Sequence, residues 1–285
     1  MGMSTEPAGS ATRLWLHRLG WASLIGNIVL VVTGGAVRLS DSGLGCPTWP
    51  DCNNGHLTPH GATSIHSAIE FGNRMLTFVL AFIAIATFIA AWRSGRRELR
   101  WLAFALGLFI PAQAVIGGIT VLTHLNPWVV ALHLLSSMVI IGLAVLFLWR
   151  IDHPWPRPTL LAWLTFAAAW AVLYAGTIVT GAGPHAGDVK AHRNGLSPLE
   201  TSQFHADAVF LLVGLTIAMA VLTRSKPVLW LLGIELSQGV VGYVQYFTHL
   251  PEVLVGVHMF GAALIAAAAA WVLVSSRERS AVPVT

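Results

Sequence analysis

The stretch "AQAVIGGITVLTHLNPWVVALH" at residues 112–133 aligns without gaps on "SQGVVGYVQYFTHLPEVLVGVH" at residues 237–258. The offset is 125 throughout, and eight of the 22 aligned positions are identical. Apolar helices align easily by chance, whereas paired Gln and His residues do not. The polar identities include Gln113/Gln238, His124/His249 and His133/His258. A weaker similarity relates "GGAV" at 34–37 to "GTIV" at 176–179, so the chain is predicted to contain two halves built from one template.

The composition predicts an integral membrane protein. The chain has 285 residues, of which 55% are hydrophobic and 10% charged, and its mean hydropathy is +0.71. Soluble domains average about 25% charged residues. Eight apolar runs approach the ~20 residues needed to cross a bilayer. They lie at 20–39, 65–92, 101–122, 128–149, 160–181, 202–223, 227–247 and 253–275.

Four spans in each half give both halves the same orientation in the membrane. The predicted fold is therefore an all-α integral membrane protein with eight transmembrane helices, arranged as two parallel-repeat four-helix bundles. The predicted organisation is an N-terminal segment (1–19), a first half (20–150), a linker (151–159), a second half (160–275) and a C-terminal tail (276–285).

The distribution of basic residues predicts the orientation. With eight spans, 12 of the 16 Lys and Arg residues lie on the side of both termini. The exceptions are Arg38, Arg74, Lys190 and Arg193. The expected location is the plasma membrane, and the positive-inside rule places both termini in the cytoplasm. The excess of basic residues is thus explained by topology, and the expected partner is the lipid bilayer rather than nucleic acid. The polar N-terminus lacks the pattern of a cleaved signal peptide.

Four histidines lie inside the predicted spans: His66, His133, His205 and His258. All four lie within roughly 10 Å of the outer surface, counted along their helices. A polar side chain inside a span is a functional hypothesis by default. His205 and His258 stand at matching depth in the second half, as bis-histidine ligation of a haem requires. The alternative is two separate histidines, each hydrogen-bonded to a carbonyl; zinc is disfavoured because further ligands are lacking at useful spacing.

The first half differs, because the partner helix of His133 reads "IHSAIEFGNRML" at 65–76, with Asn73 and Arg74 in place of a His-Arg pair. His66, Glu70 and Asn73 share one face of this helix by their spacing. A buried Glu beside a pocket with one His indicates a reaction site, in which the carboxylate accepts a proton or holds a cationic intermediate. The alternative is a structural ion pair between Glu70 and Arg74.

The remaining histidines lie in turns, loops or tails. His124 and His249 occupy equivalent tight outer turns, either as polar anchors at the interface or as contacts to haem propionates. No role is assigned to the others: His17, His56, His60, His153, His185 and His192.

Both cysteines lie in the first outer loop, "GLGCPTWPDCNNGHLTPH" at residues 43–60. An oxidising compartment permits a disulfide between Cys46 and Cys52. It is either a structural clip contributing roughly 2–3 kcal/mol or an exposed, redox-active pair.

The segments "GGAVRLSDSGLGCPTWPDC" (34–52) and "IEFGNR" (69–74), with the paired "TH…H" segments, resemble the haem A synthase family over essentially the whole chain. This resemblance implies eight helices in two halves and successive hydroxylations that oxidise the C8 methyl of haem O to a formyl group, which supplies haem A to terminal oxidases. It also implies a cofactor haem b in the second half, the substrate haem O in the first half, and a haem O synthase and an electron acceptor as partners. A homo-oligomer is compatible with it.

The resemblance assigns His205 and His258 as the axial ligands of haem b, His133 as the residue facing the substrate haem, and Glu70 as the catalytic carboxylate. Family members commonly have His where this chain has Asn73, followed by the Arg at position 74. Either His133 alone holds the substrate iron, or His66 supplies the second ligand.

Two other classes of protein are compatible with the sequence. One is a transmembrane di-haem b-type electron-transfer cytochrome, which is disfavoured because all the candidate histidines lie near one face of the membrane. The other is a haem transport or assembly protein, which the parallel repeat allows, although no pair of broken helices marks a site at the midplane.

Overall fold

The structure is a computed structural model that describes residues 9–52, 55–56, 58, 65–185, 187–188 and 191–276. Its regular elements, over these residues, are eight α-helices. They are α1 Ser10–Leu39, α2 Ile65–Arg93, α3 Arg97–Leu122, α4 Pro127–Asp152, α5 Leu160–Ala182, α6 Pro198–Thr223, α7 Lys226–Phe247 and α8 Glu252–Ser275. Each is long and apolar enough to cross a membrane. The prediction of an all-α protein with eight spanning helices is confirmed.

The helices form two groups of four. In each group, neighbours in sequence pack together and the first helix packs on the fourth, while diagonal helices of the described bundle make no close approach. The axis of the first group therefore lies between α2 and α4, and that of the second between α6 and α8. The groups are joined through α4–α8, α1–α8 and α4–α5 contacts. The repeat relation between the halves, like the boundaries drawn between them, stays a prediction.

We call the junction of α1, α4 and α8 the central seam, and it contains the largest apolar core. Leu16 and Leu24 of α1 pack there with α4 and with alanines of α8, among them Ala263 and Ala266. A Cβ at Gly20 of α1 would come within 2.7 Å of a Leu148 methyl carbon. Small residues allow helices to approach closely in a membrane, where packing rather than the hydrophobic effect holds helices together.

The turns after α3 and α7 have the same backbone conformation. His124 and Leu125 have φ of 51° and 60°, and His249 and Leu250 have φ of 60° and 59°. The N–H of Leu125 donates to Thr120 O at 2.8 Å, and that of Leu250 to Gln245 O at 2.7 Å. Two successive left-handed residues that are not Gly are uncommon. The two turns are 125 residues apart in sequence, which is the offset of the sequence alignment.

At one end of the molecule, which we call the arginine-rich end, α1 and α4 extend beyond the predicted spans. α1 begins at Ser10, inside the segment predicted at 1–19, and α4 continues to Asp152, inside the predicted linker. The extra turns meet in an ion-pair cluster, because Arg13 Nε and His17 Nε2 lie 2.7 and 2.9 Å from the Asp152 carboxylate. These side chains therefore join the two extended helix ends. The cytoplasmic location of this end stays a prediction.

The opposite end, which we call the disulfide end, carries residues 40–52, the described residues between α5 and α6, and the two left-handed turns. Arg38 Nε donates to His185 O at 2.5 Å and Arg38 Nη2 to Thr180 O at 2.9 Å. His185 Nε2 in turn lies 2.8 Å from Leu250 O. The N–H of Gly43 donates to Gly187 O at 2.9 Å. These bonds tie α1 and its loop in the first half to the loop and turn of the second.

Candidate functional site

The structure brings His205 of α6 and His258 of α8 together in the second half. Their ring centroids are 6.3 Å apart and the rings are inclined by 80°. Both Nδ1 atoms are buried and make no hydrogen bond of good geometry within the described residues, although the His205 ring approaches the backbone of Val172. Glycines of the flanking helices lie against the rings: a Cβ at Gly176 would be 3.3 Å from His205 Cε1, and one at Gly242 would be 3.8 Å from His258 Cε1. The two imidazoles thus occupy a space left open by small residues.

This pair suits a metal whose other ligands come from a cofactor. Metal–imidazole bonds of about 2 Å on each side fit within the ring separation. The described residues contain no group of three or more His, Cys, Asp or Glu side chains able to hold a metal ion. Two histidines with unpaired ring nitrogens are the donor set of a bis-histidine haem site. The residues present therefore fit a haem.

The corresponding histidine of the first half, His133 of α4, has similar surroundings. Its Nδ1 is also buried and lacks a partner among the described residues, and a Cβ at Gly117 of α3 would be 3.2 Å from its Cε1. Gln113 Nε2 donates to Ser137 Oγ at 2.8 Å and to His133 O at 3.3 Å. The side chains of Gln113 and Ser137 therefore both hold the backbone carbonyl of His133.

Asn73 of α2 lies where the first half would carry the counterpart of His205. Thr33 Oγ1 of α1 donates to Asn73 Oδ1 at 2.8 Å. Thr33 precedes Gly34, which matches Gly176 in the sequence alignment. A Cβ at Gly34 would meet nothing within 4 Å, in contrast to the close approach of His205 to Gly176. The shorter Asn side chain thus leaves open the space that an imidazole fills in the second half.

Glu70 and Arg74 form the ion pair that was the alternative interpretation of the sequence. Glu70 Oε1 accepts from Arg74 Nη2 at 2.7 Å, and Glu70 Oε2 accepts from the Cys46 N–H at 2.6 Å. Arg74 also donates to three loop carbonyls at 3.1–3.2 Å, those of Cys46, Thr48 and Asp51. The buried pair therefore holds the cysteine loop onto α2, beside the pocket of His133. A catalytic role of Glu70 stays a prediction.

His66, His124 and His249 do not join these groups. His66 is exposed at the start of α2, and its Nδ1 lies 3.0 Å from Ser42 Oγ in the loop. His124 and His249 are exposed in the left-handed turns of the disulfide end. Contacts from these residues to haem propionates, or to the substrate iron in the case of His66, stay predictions.

The cysteine loop contains the predicted disulfide between Cys46 and Cys52, with Cα atoms 4.4 Å apart. The expectation of an exposed pair is wrong, because the two residues are 0% and 1% exposed. Trp49 lies flat against Gly118 of α3, next to the glycine that borders His133. The Gly55 N–H donates to the Asp51 carboxylate and lowers the pKa of Asp51. His60 lies outside the described residues. Burial favours the structural role of the disulfide.

Sequence reasoning missed two residues near these sites. Trp49 is a single aromatic residue in a loop without periodicity, and only its presence among prolines and cysteines could have drawn attention to it. Glu235 is the only acidic residue inside the apolar run 227–247. A single acidic residue in a long apolar run is a clear signal in the sequence.

Comparison with known proteins identifies the family. Residues 17–189, which are 173 of the 285, match the family model COX15-CtaA, described as cytochrome oxidase assembly protein. The chain belongs to the COX15-CtaA family. This membership confirms the family resemblance seen in the sequence and agrees with a multi-pass membrane protein. The matched residues include Glu70, His133 and the disulfide, and they end before His205.

Relatives of this COX15-CtaA protein include several named haem A synthase. The one from Lysinibacillus sphaericus (strain C3-41) is 32% identical over 172 residues, which cover 55% of each chain. The one from Staphylococcus epidermidis (strain RP62A) is 29% identical over 180 residues, or 57% of this chain and 59% of the relative. One from Listeria monocytogenes (strain EGD-e) is 35% identical over 133 residues, or 44% of this chain and 43% of the relative. The chain thus spans about half the length of the curated relatives that it matches.

Proposed function

We propose that this COX15-CtaA protein is a haem A synthase that oxidises the C8 methyl of haem O to a formyl group. The observation that carries the proposal is the family match over residues 17–189. That segment contains a histidine with an unpaired buried nitrogen, His133, beneath a loop held by Glu70 and Arg74. The relatives that bear the name haem A synthase support the same reaction. Haem A formed in this way supplies terminal oxidases, and a haem O synthase supplies the substrate.

In this proposal, His205 and His258 hold a haem b as axial ligands, because their geometry and unpaired nitrogens fit that group. When bound, haem b supplies a one-electron redox centre. The chain contributes the position of the two imidazoles, the glycines that leave room beside them, and the apolar helices that exclude water. Held by His205 and His258, this group would offer one-electron chemistry to the oxidation of the substrate, whose final electron acceptor lies outside the chain.

In the first half, His133 of α4 holds the substrate haem. Asn73 of α2, on the other side of the bundle axis, supplies no histidine ligand. Two successive hydroxylations of the methyl group, each taking an oxygen from water and releasing two electrons and two protons, would give a gem-diol that loses water to form the aldehyde. The four electrons would pass to the acceptor outside the chain. Glu70 takes up a proton at a carboxylate oxygen or stabilises positive charge at the reacting carbon. Arg74 is a positioning residue, because it fixes both the Glu70 carboxylate and the loop that covers the pocket.

The position of the histidines argues against the electron-transfer alternative. His133 and His258 each lie six residues after the first residue of their helices, and His205 lies seven after the first of α6. All three are therefore within about two helical turns of the disulfide end. A cytochrome that carries electrons across the membrane needs haems near both faces, so one-sided placement favours chemistry on a bound haem.

The proposal is tested by expressing the protein together with a haem O synthase and identifying the extracted haem. A formyl-bearing product supports the enzyme. Bound but unaltered haem favours the electron-transfer cytochrome, and a purified protein without haem favours transport or assembly. Glu70→Gln should cause haem O or a hydroxylated intermediate to accumulate. The matched control is Glu98→Gln, which alters a carboxylate at the arginine-rich end. Wild-type haem A yield from Glu70→Gln would exclude the catalytic role of Glu70.

A further inference from the structure

The second half contains a buried carboxyl group that the proposed function does not use. Glu235 of α7 is 2% exposed, and its Oε1 accepts from the hydroxyl of Thr216 of α6 at 2.8 Å. Its Oε2 is buried and has no hydrogen-bond partner in the described part of the chain. Glu235 lies nine residues from the first and 12 from the last residue of α7. At 1.5 Å per residue, it is about 14 and 18 Å from the two ends of the helix.

No charged side chain faces Glu235 from the helices that pack on α7, which are α6 and α8. In sequence, residues 208–223 of α6 and 259–275 of α8 contain no Asp, Glu, His, Lys, Arg or Tyr. The titratable groups of the three helices and of the residue after α6 all lie towards the helix ends: Glu200, His205, Asp207, Arg224, Lys226, Tyr243, Tyr246, Glu252 and His258. An ionised carboxylate without a counter-ion is costly inside a membrane. The group therefore needs either a proton or water.

A polar face of α7, formed by Glu235, Gln238 and Gln245, leads from this carboxyl group to the disulfide end. The spacing of three and ten residues places the three side chains on one side of the helix. Gln238 Oε1 and Gln245 Oε1 are buried and, like Glu235 Oε2, have no partner among the described residues. Gly242, on the same side, borders the His258 ring, and Gln238 packs across Gly261 of α8. Buried polar atoms of this kind are commonly satisfied by internal water.

The first half provides an internal comparison at the offset of 125. The position of Glu235 is occupied by Ile110, and that of Gln245 by Thr120, whose hydroxyl donates to Gly117 O at 2.5 Å. Gln113, at the position of Gln238, donates through Nε2 to Ser137 Oγ, while its Oε1, like that of Gln238, is buried without a partner among the described residues. The first half therefore lacks the acid and lacks one of the two unpaired glutamines. The continuous run from a buried acid to the disulfide end is therefore found in the second half and not at the equivalent positions of the first.

We propose that Glu235 is a protonation site inside the membrane that exchanges protons with water at the disulfide end along the polar face of α7. Its proton binding is coupled to the electron on the haem b held by His205 and His258. One electron added to the haem adds one negative charge, and one proton from water converts the Glu235 carboxylate to the acid. Charges interact strongly in a medium of low dielectric constant, so each addition favours the other. The coupling rests on the proposed function, whereas the protonation site does not.

Infrared spectroscopy of the purified full chain in lipid nanodiscs tests the site itself. The carboxyl C=O band should contain a component that shifts in D2O and titrates with pH, and Glu235→Gln should remove it. Double replacement of Gln238 and Gln245 by Leu should slow its exchange at least tenfold. Glu252→Gln, at the exposed start of α8, is the matched control and should leave the component unchanged. A component that survives in Glu235→Gln, or that fails to exchange in wild-type protein, overturns the site.

Redox titration of the bound haem b at several pH values tests the coupling. The midpoint potential of the wild-type protein should fall as pH rises, and that of Glu235→Gln should lose this slope. Equal slopes in both proteins overturn the coupling. A preparation that holds no haem b overturns the cofactor assignment and the coupling together, while the infrared result still decides the protonation site. Haem A yield, measured separately, decides the proposed function.

Discussion

Replacement of Arg74 by Met should release the cysteine loop from α2. The side chains of Arg74 and Glu70 are 21% and 8% exposed, so their ion pair is largely shielded from water. The substitution removes the pair and the hydrogen bonds to three loop carbonyls, and it leaves the Glu70 carboxylate with backbone N–H groups of the loop, those of Cys46 and Gly45, and no counter-ion from Arg74. Removing one partner of a buried pair typically costs ~3–5 kcal/mol. Because water reaches about a fifth of the Arg74 side chain, the lower end of that range applies.

A loss of about 3 kcal/mol corresponds to a roughly 100-fold change in an equilibrium constant, since 1.4 kcal/mol is tenfold. The equilibrium is the opening of the loop, which must precede attack on a disulfide as buried as Cys46–Cys52. The assay is the rate of disulfide reduction by dithiothreitol in detergent solution, followed by thiol alkylation and mass spectrometry. Arg74→Met should accelerate reduction by about two orders of magnitude.

Three further variants make this result specific. Arg74→Lys keeps the charge but loses the planar fork, so its acceleration should be intermediate. Adding Glu70→Gln to Arg74→Met should recover part of the loss, because no unpaired charge remains. Arg13→Met breaks a pair in which the arginine side chain is 61% exposed, at the other end of the molecule, and should leave the rate unchanged. A rate for folded Arg74→Met within twofold of wild type would refute the idea that the guanidinium holds the loop.

Other predictions follow from the packing of single residues. Asn73→His should give a haem in the first half two histidine ligands and convert its optical and EPR spectra to low spin; unchanged spectra contradict the assignment of an open side. Gly261→Ala should lower the free energy of unfolding by ~1–3 kcal/mol through overpacking, because the new Cβ meets the Gln238 side chain. Adding Gln238→Ala to this variant should restore most of the loss. Gly118→Ala should displace Trp49 and accelerate disulfide reduction, an effect that should disappear when Trp49 is also replaced by Ala.

The matched control for both glycine substitutions is Gly72→Ala. A Cβ at this position would meet nothing within 4 Å, and Ala is a better helix former than Gly. The melting temperature of this variant should therefore equal or exceed that of the parent protein, and its rate of disulfide reduction should be unchanged. A clear loss of stability here would mean that α2 tolerates no added side chain, and the clash argument for the other glycines would fail.

The number and type of helices were predictable because a bilayer forces each span to satisfy its own backbone hydrogen bonds over a fixed length. The sequence alignment at offset 125 pairs His124 with His249, and both residues have left-handed backbone conformation; the repeat relation of the whole halves stays a prediction. Counting residues along the predicted spans placed His205 and His258 at one depth, so their contact could be expected from their positions in the sequence. The contacts of Arg13 and His17 with Asp152 could not be predicted in this way, because Asp152 is far away in sequence.

The surroundings of Glu70 show where the sequence stops being informative. Spacing along α2 predicted the pairing with Arg74, but a loop without periodicity gives no indication of which of its carbonyls and N–H groups will meet that pair. The same limit applies to the burial of Cys46 and to the position of Trp49 against Gly118. The hydrogen bond between Thr33 and Asn73 joins two helices whose relative rotation the hydropathy pattern leaves undetermined.

The central seam has a consequence for how the protein is made. Translation completes α1 and α4 well before α8, yet the alanines that pack on them belong to α8. The packing of the first half is therefore incomplete until α8 has been synthesised, although domains are usually folded in the order of their synthesis. A nascent chain truncated after α7 is incomplete in both halves at once.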